Sequence, residues 1–159
     1  MSAVVAHLEQ QVQSSRRMLG VVLAQGQAIR RQDVEAVLAR LGDVQIEMAN
    51  QQRLELQREE LLQDAAQRLG PPASSLDLDR LLAGEPPEEA AAARALSAEL
   101  QGLVVEIGSV HDQNRVLMRQ ELTFLNHLMG VLSGSPQAGY SPAGLRAAPQ
   151  VANVVDARA

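Results

Sequence analysis

His7, His111 and His127 are the side chains best suited to hold a metal or move a proton near neutral pH. A di-iron site in a helical bundle would need Glu-x-x-His pairs on facing helices. None of the three histidines has Glu three residues before it. Glu106 and Glu121 come nearest, but their spacings to His111 and His127 place each pair on different helical faces. His111-Asp112 stands without the further His and Asp that a metal phosphohydrolase requires. Glu59-Glu60 and Glu88-Glu89 are adjacent in sequence and diverge on a helix, so solvation or the helix dipole accounts for them.

Other chemistries are excluded by absence. The sequence has no Cys, hence no disulfide, thiolate nucleophile or Cys-ligated metal. It has no Lys, which removes the P-loop and Schiff-base lysines. No Ser sits in a Gly-x-Ser-x-Gly turn. We therefore expect no enzyme, and assign no catalytic, cofactor-binding or metal-ligating residue.

The net charge is −5 and the fourteen Arg are scattered, so no basic stripe marks a nucleic-acid face. Phe124 and Tyr140 are the only aromatics, which rules out a platform for stacking bases. Glu9, Gln10, Gln11 and Gln13 break the N-terminal apolar run that a signal peptide needs. No stretch approaches the roughly 20 apolar residues of a membrane span. A cytoplasmic protein without nucleic-acid partners or stable membrane insertion is the expectation.

Ala, Leu, Gln, Glu and Arg dominate, and all are strong helix formers. The pattern predicts an all-α fold: an elongated antiparallel helical bundle or coiled coil of three long helices plus one short helix, with a disordered C-terminal tail. A first helix over about 3–31 carries a seam of Val5, Leu8, Val12, Ser15, Leu19, Val22, Gly26 and Ile29, alternating three and four. Asp33 caps a second helix over 33–69, with the seam Val34, Val37, Leu41, Val44 and Met48, then polar Gln51, Glu55 and Arg58, then Leu62, Ala65 and Leu69. Gly70-Pro71-Pro72 ends it.

Ser74, Ser75 and Asp77 precede a short helix over 76–83, and Pro86-Pro87 start a fourth over 87–132. Its stripe is Leu96, Leu100, Leu103, Ile107, Val110, Asn114 and Leu117. Between Val116 and Leu132 that stripe widens to about half the circumference, interrupted by Glu121. This divides the chain into a helical domain over 1–134 and a Pro-, Gly- and Ala-rich tail over 135–159. Gly20, Gly26, Gly42, Gly102, Gly108 and Gly130 fall inside predicted helices, at about 1 kcal/mol each relative to Ala. Close helix approach and tolerated drift both explain them.

Three stretches carry a family likeness. The first runs from Ala28-Ile29 through Asp33, Leu38 and Leu41 to Arg58-Glu-Glu-Leu61-Leu62. The second is Val110-His111-Asp-Gln-Asn114-Arg115-Val-Leu117, followed by Leu122-Thr-Phe124-Leu125 and Leu128-Met129. The third is the tail, with Tyr140 four residues before Gly144 and a closing Asp156-Ala-Arg158-Ala. In these the chain resembles the FlgN family of flagellar export chaperones. The family often has two Asn three residues apart; His111 stands at the first and Asn114 matches the second.

The resemblance implies that clients are hook-associated proteins of the FlgK and FlgL type, bound by their C-terminal helices and delivered to the export gate. It implies client contacts on the last half of the final helix, here Asn114, Leu117, Met118, Leu122, Leu125, Leu128, Met129 and Leu132. It also associates the tail tyrosine, Tyr140, with the cytoplasmic domain of the export gate. The wide arc by itself suits either helix-in-groove recognition or burial under the other helices. A rival reading makes the same seams a self-association device of a structural coiled coil.

Overall fold

The computed structural model describes residues 2–134, which are helical apart from short turns and caps. The elements are α1 (Ala3–Arg30), α2 (Val34–Leu69), a 3-10 turn (Ala73–Ser75), α3 (Leu78–Leu81) and α4 (Pro87–Ser133). The chain divides into two units, one ending at Arg119 and one beginning at Gln120, with the division inside α4.

Local sequence sets the helix ends. Ser2 caps α1 by accepting a hydrogen bond from the Val5 amide, Asp33 caps α2 through the Ala36 amide, and Asp77 caps α3 through the Arg80 amide. Gly70, at φ 91°, closes α2 with its amide on the Ala66 carbonyl. Between α1 and α2 the chain reverses within three residues, and Gln32 takes the left-handed conformation at φ 57°. The third helix is shorter than the 76–83 expected. Residues 73–75 coil more tightly as a 3-10 turn and Leu76 is extended, so the α-helix begins only after Asp77.

In the first unit α1 is covered along two edges. Its ten buried residues include Val5, Val12, Ser15, Val22, Gly26 and Ile29 of the expected seam, and also His7, Ser14, Met18 and Ala28, which the seam did not contain. The second edge meets α2, which runs antiparallel: the Asp33 amide reaches the Ala28 carbonyl, and Ser14 lies opposite Glu47. The first edge meets α4, which runs parallel to α1. Ser2 pairs with Glu89, Arg16 with Glu99, and Val22 with Asn114, in ascending order along both helices. α3 closes the start of this pair by adding Leu82 and Leu78 to a core of Val5, Ala90 and Ala93.

The seam of α2 differs from the expectation. Glu47, Leu54 and Ala65 are its buried residues, whereas Val34, Leu41, Met48 and Leu69 are exposed. The cause is polar. Glu47 is drawn inward because its carboxylate accepts from Ser14 Oγ at 3.2 Å, Arg17 Nε at 3.0 Å and Asn50 Nδ2 at 3.4 Å. A buried carboxylate is tolerated only when so satisfied, and fixing it inward rotates the neighbouring apolar residues toward solvent.

One helical glycine is explained by close approach. A Cβ at Gly26 would stand 2.5 Å from Asn114 Oδ1, while Cβ atoms at Gly20, Gly42, Gly102 and Gly108 would meet nothing within 4 Å. Gly26→Ala should therefore destabilise by about 1–2 kcal/mol, the overpacking penalty less the gain in helix propensity. Gly20→Ala should stabilise by up to about 1 kcal/mol. Combining Gly26→Ala with Asn114→Ala should cost less than the sum of the two single changes, as measured by urea denaturation.

Candidate functional site

α4 is 47 residues long, yet its buried side chains are only Ala90, Ala93 and Asn114. Asn114 is the last of these. Its Nδ2 donates to the Val22 carbonyl at 2.7 Å, and Gly26 leaves room for its side chain. After Val22, α1 has eight residues left before it ends at Arg30. After Asn114, α4 has nineteen before it ends at Ser133.

Of the residues assigned to client contact, Asn114 is 5% exposed and its amide donates to the Val22 carbonyl of α1, which helps hold the helix pair together. Leu117 and Met118 are partly covered in the first unit. In the unit beginning at Gln120, Leu122, Leu125, Leu128, Met129 and Leu132 are exposed, from 40% at Leu128 to 84% at Leu132. Phe124 and Val131 widen the same exposed stretch, and Glu121 is partly covered. Met118, Leu122, Leu125, Met129 and Leu132 follow one another by four and three residues, which aligns them on one helical face. Tyr140 lies outside the described residues.

Among the described residues no group of three His, Asp or Glu is placed to hold a metal ion, and His111 and His127 are exposed. His7 is the buried histidine, at the α1–α2 contact, and its Nε2 has no hydrogen-bond partner among the described residues. Burial and the nearby Arg58 guanidinium lower its pKa, against a smaller opposing pull from Glu55. The Arg58 guanidinium bound to the Glu55 carboxylate in turn holds Glu55 below the usual carboxylate range. Sequence reasoning considered His7 only as a metal ligand. Its burial follows from a position between two covered edges of α1, which a single-seam reading does not reveal.

What the last stretch of α4 offers chemically is a broad row of aliphatic and thioether side chains, able to receive the apolar stripe of another helix. No helix among the described residues is long and apolar enough to cross a membrane. The described residues thus form an all-helical protein with an exposed apolar row on its last helix. A family model described as FlgN protein matches residues 1–147. The chain therefore belongs to the FlgN family, a family of flagellar export chaperones. No curated protein and no solved structure gives a significant match.

His7 makes stability depend on pH with a defined sign. Its folded-state pKa lies below the usual 6.5, so between the two values the unfolded chain binds more protons. Stability is then full above about pH 6.5, falls as the pH drops below that, and the loss levels off beneath the folded-state value. The urea midpoint of the wild type should decline over this window, and His7→Leu should flatten the decline.

Proposed function

We propose that the chain is a chaperone for hook-associated proteins of the FlgK and FlgL type, acting in the cytoplasm. It holds their C-terminal helices on the apolar face of α4, prevents their premature assembly, and delivers them to the export gate. Client contact falls to Asn114, Leu117, Met118, Leu122, Leu125, Leu128, Met129 and Leu132, and the Asn114 amide also donates to the Val22 carbonyl of α1. Residues 1–134 serve as the helical chaperone domain and 135–159 as the tail, in which Tyr140 docks on the cytoplasmic domain of the gate. The protein is not an enzyme.

The observation that carries this reading is the exposure of the row from Leu122 to Leu132 on a helix of the chaperone family. Isolated exposed leucines need no explanation, but a continuous row on one helix is characteristic of an interaction surface. Burial of a Leu or Met side chain contributes roughly 1.5–3 kcal/mol, so three such anchors approach the ~8 kcal/mol of a micromolar complex. Replacing Leu122, Leu125 and Met129 together by Gln should abolish binding of the C-terminal client segment while preserving most helicity, as read by calorimetry and circular dichroism. Unfolding of the triple variant, or client affinity equal to wild type, would remove the assignment.

For the tail, Ala138-Gly139-Tyr140-Ser141-Pro142 sets one aromatic among turn-forming residues. Tyr offers large contact area and a hydroxyl at low entropic cost, which makes it a frequent hot spot. Tyr140→Ala should keep fold and client binding, weaken affinity for the gate's cytoplasmic domain by about 2 kcal/mol or more, and impair motility. Equal binding of variant and wild type to that domain, with client present, would contradict the role of Tyr140.

A further inference from the structure

The exposed row at the end of α4 is followed in the chain by a segment whose pattern matches it. Gly134 ends α4 in the left-handed conformation, at φ 63°, with its amide directed to the Val131 carbonyl. A cap of this kind turns the chain off the helix axis. Residues 135–159 lie outside the described residues. In their sequence, Pro149 is followed by Val151, Val154, Val155 and Arg158, which recur by three and four. On a short helix started by Pro149, that spacing sets three valines and one guanidinium on a single stripe. Residues 148–159 lie beyond the stretch matched to the FlgN family, so this stripe is not part of the family pattern.

Reach, register and charge all fit the stripe to the row. Residues 135–150 are rich in Gly, Pro, Ser and Ala, and a tether of that length spans roughly 20 Å on average. From Leu132 back to Leu122 is about 15 Å along α4. The row is therefore within reach, and tethering presents the segment to it at an effective concentration on the order of millimolar. Laid antiparallel on α4, Val151 meets Met129, Val154 and Val155 meet Leu125, and Arg158 comes level with Leu122 and Glu121. Glu121 stands four residues before Leu125 and seven before Leu128, so it shares their face and puts one carboxylate at that end of the row. A parallel arrangement would set Arg158 against Met129 and a valine against Glu121.

We infer that residues 149–158 fold back as a short helix on the apolar row of α4 in the same molecule, covering Leu122, Leu125 and Met129 until another helix displaces them. Val is a weak helix former and ten residues are too few for an independent helix, so the segment forms only against the row and yields to a longer stripe. The competition rests on the chaperone reading of the row; the docking itself does not.

The chain has no Cys, so Asn153→Cys, on the side of the segment away from the valines, can carry a single spin label in the full chain without client. The methyl signals of Leu125, Leu128 and Met129 should broaden, equally at high and low protein concentration. Val151→Asp, Val154→Asp and Val155→Asp together should remove the broadening and leave the thermal transition unchanged. Glu121→Arg should weaken it, and adding Arg158→Glu should restore it. A row covered nine-tenths of the time lowers apparent client affinity about tenfold. The triple Asp variant should therefore bind a C-terminal segment of a hook-associated protein about tenfold more tightly than wild type, as read by calorimetry. Broadening no greater than in the triple variant, or broadening lost on dilution, overturns the docking. A charge-swapped pair no better than Glu121→Arg alone overturns the antiparallel register. Intact broadening with equal client affinity in both proteins overturns the competition. Intact broadening with no client binding by either protein upholds the docking and removes the chaperone reading instead.

Discussion

The hydrogen bond from the Asn114 amide to the Val22 carbonyl is the contact on which the α1–α4 pair depends. Val22 lies within α1, where its carbonyl can also accept an intrahelical bond, and a carbonyl has lone pairs for both. The amide can reach it only because residue 26 has no side chain. A buried Asn is costly if its partner is lost, since an unsatisfied polar group forfeits about 1–3 kcal/mol. Sliding α4 along α1 would remove both the carbonyl and the space above Gly26. The pair is thus fixed in register by penalty as much as by attraction, in the manner of a polar residue within a coiled-coil seam.

The other edge of α1 applies the same device with a charge. Val12, Val22, Ala93, Ser14 and Ser15 are small, so the seams around α1 are thin and apolar burial discriminates weakly between neighbouring registers. Glu47 supplies the discrimination by gathering Ser14, Arg17 and Asn50 around one carboxylate. Arg17 is half exposed and keeps part of its hydration, which limits the desolvation cost of the ion pair. His7 stands apart from these, a buried polar group whose Nε2 is unsatisfied. Its contribution is a dependence on proton concentration and not an anchoring contact.

Much of this was legible in the sequence and some was not. Alternation of three and four placed α1 and most of its seam, and the side-chain chemistry of Asp33, Gly70 and Pro87 placed three helix ends. Apolar periodicity could not distinguish which of two apolar rows on α2 turns inward, because Val34, Leu41 and Met48 score like any seam. The decision came from Glu47, a residue that hydrophobic patterning assigns to the surface. Asn114 shows the same limit from the other side. Its family match drew attention to the right residue, but only the position of Gly26, 88 residues earlier in the chain, reveals that it faces α1.

The arrangement also explains how one helix can serve two purposes. Up to Asn114, α4 fully buries only small side chains, Ala90 and Ala93, while Leu96, Leu100, Leu103, Ile107 and Val110 are partly covered. The large residues, Leu122, Phe124, Leu125, Met129 and Leu132, come after that anchor and remain exposed. Leaving them uncovered carries a solubility cost, which a protein without a partner would be selected to reduce by polar substitution on a tolerant surface. Met129 is the one unbranched apolar side chain in this row, and its thioether can adjust to the shape of what it meets. Register along α1 is thus set at Asn114, and the large apolar side chains come after that point in the chain.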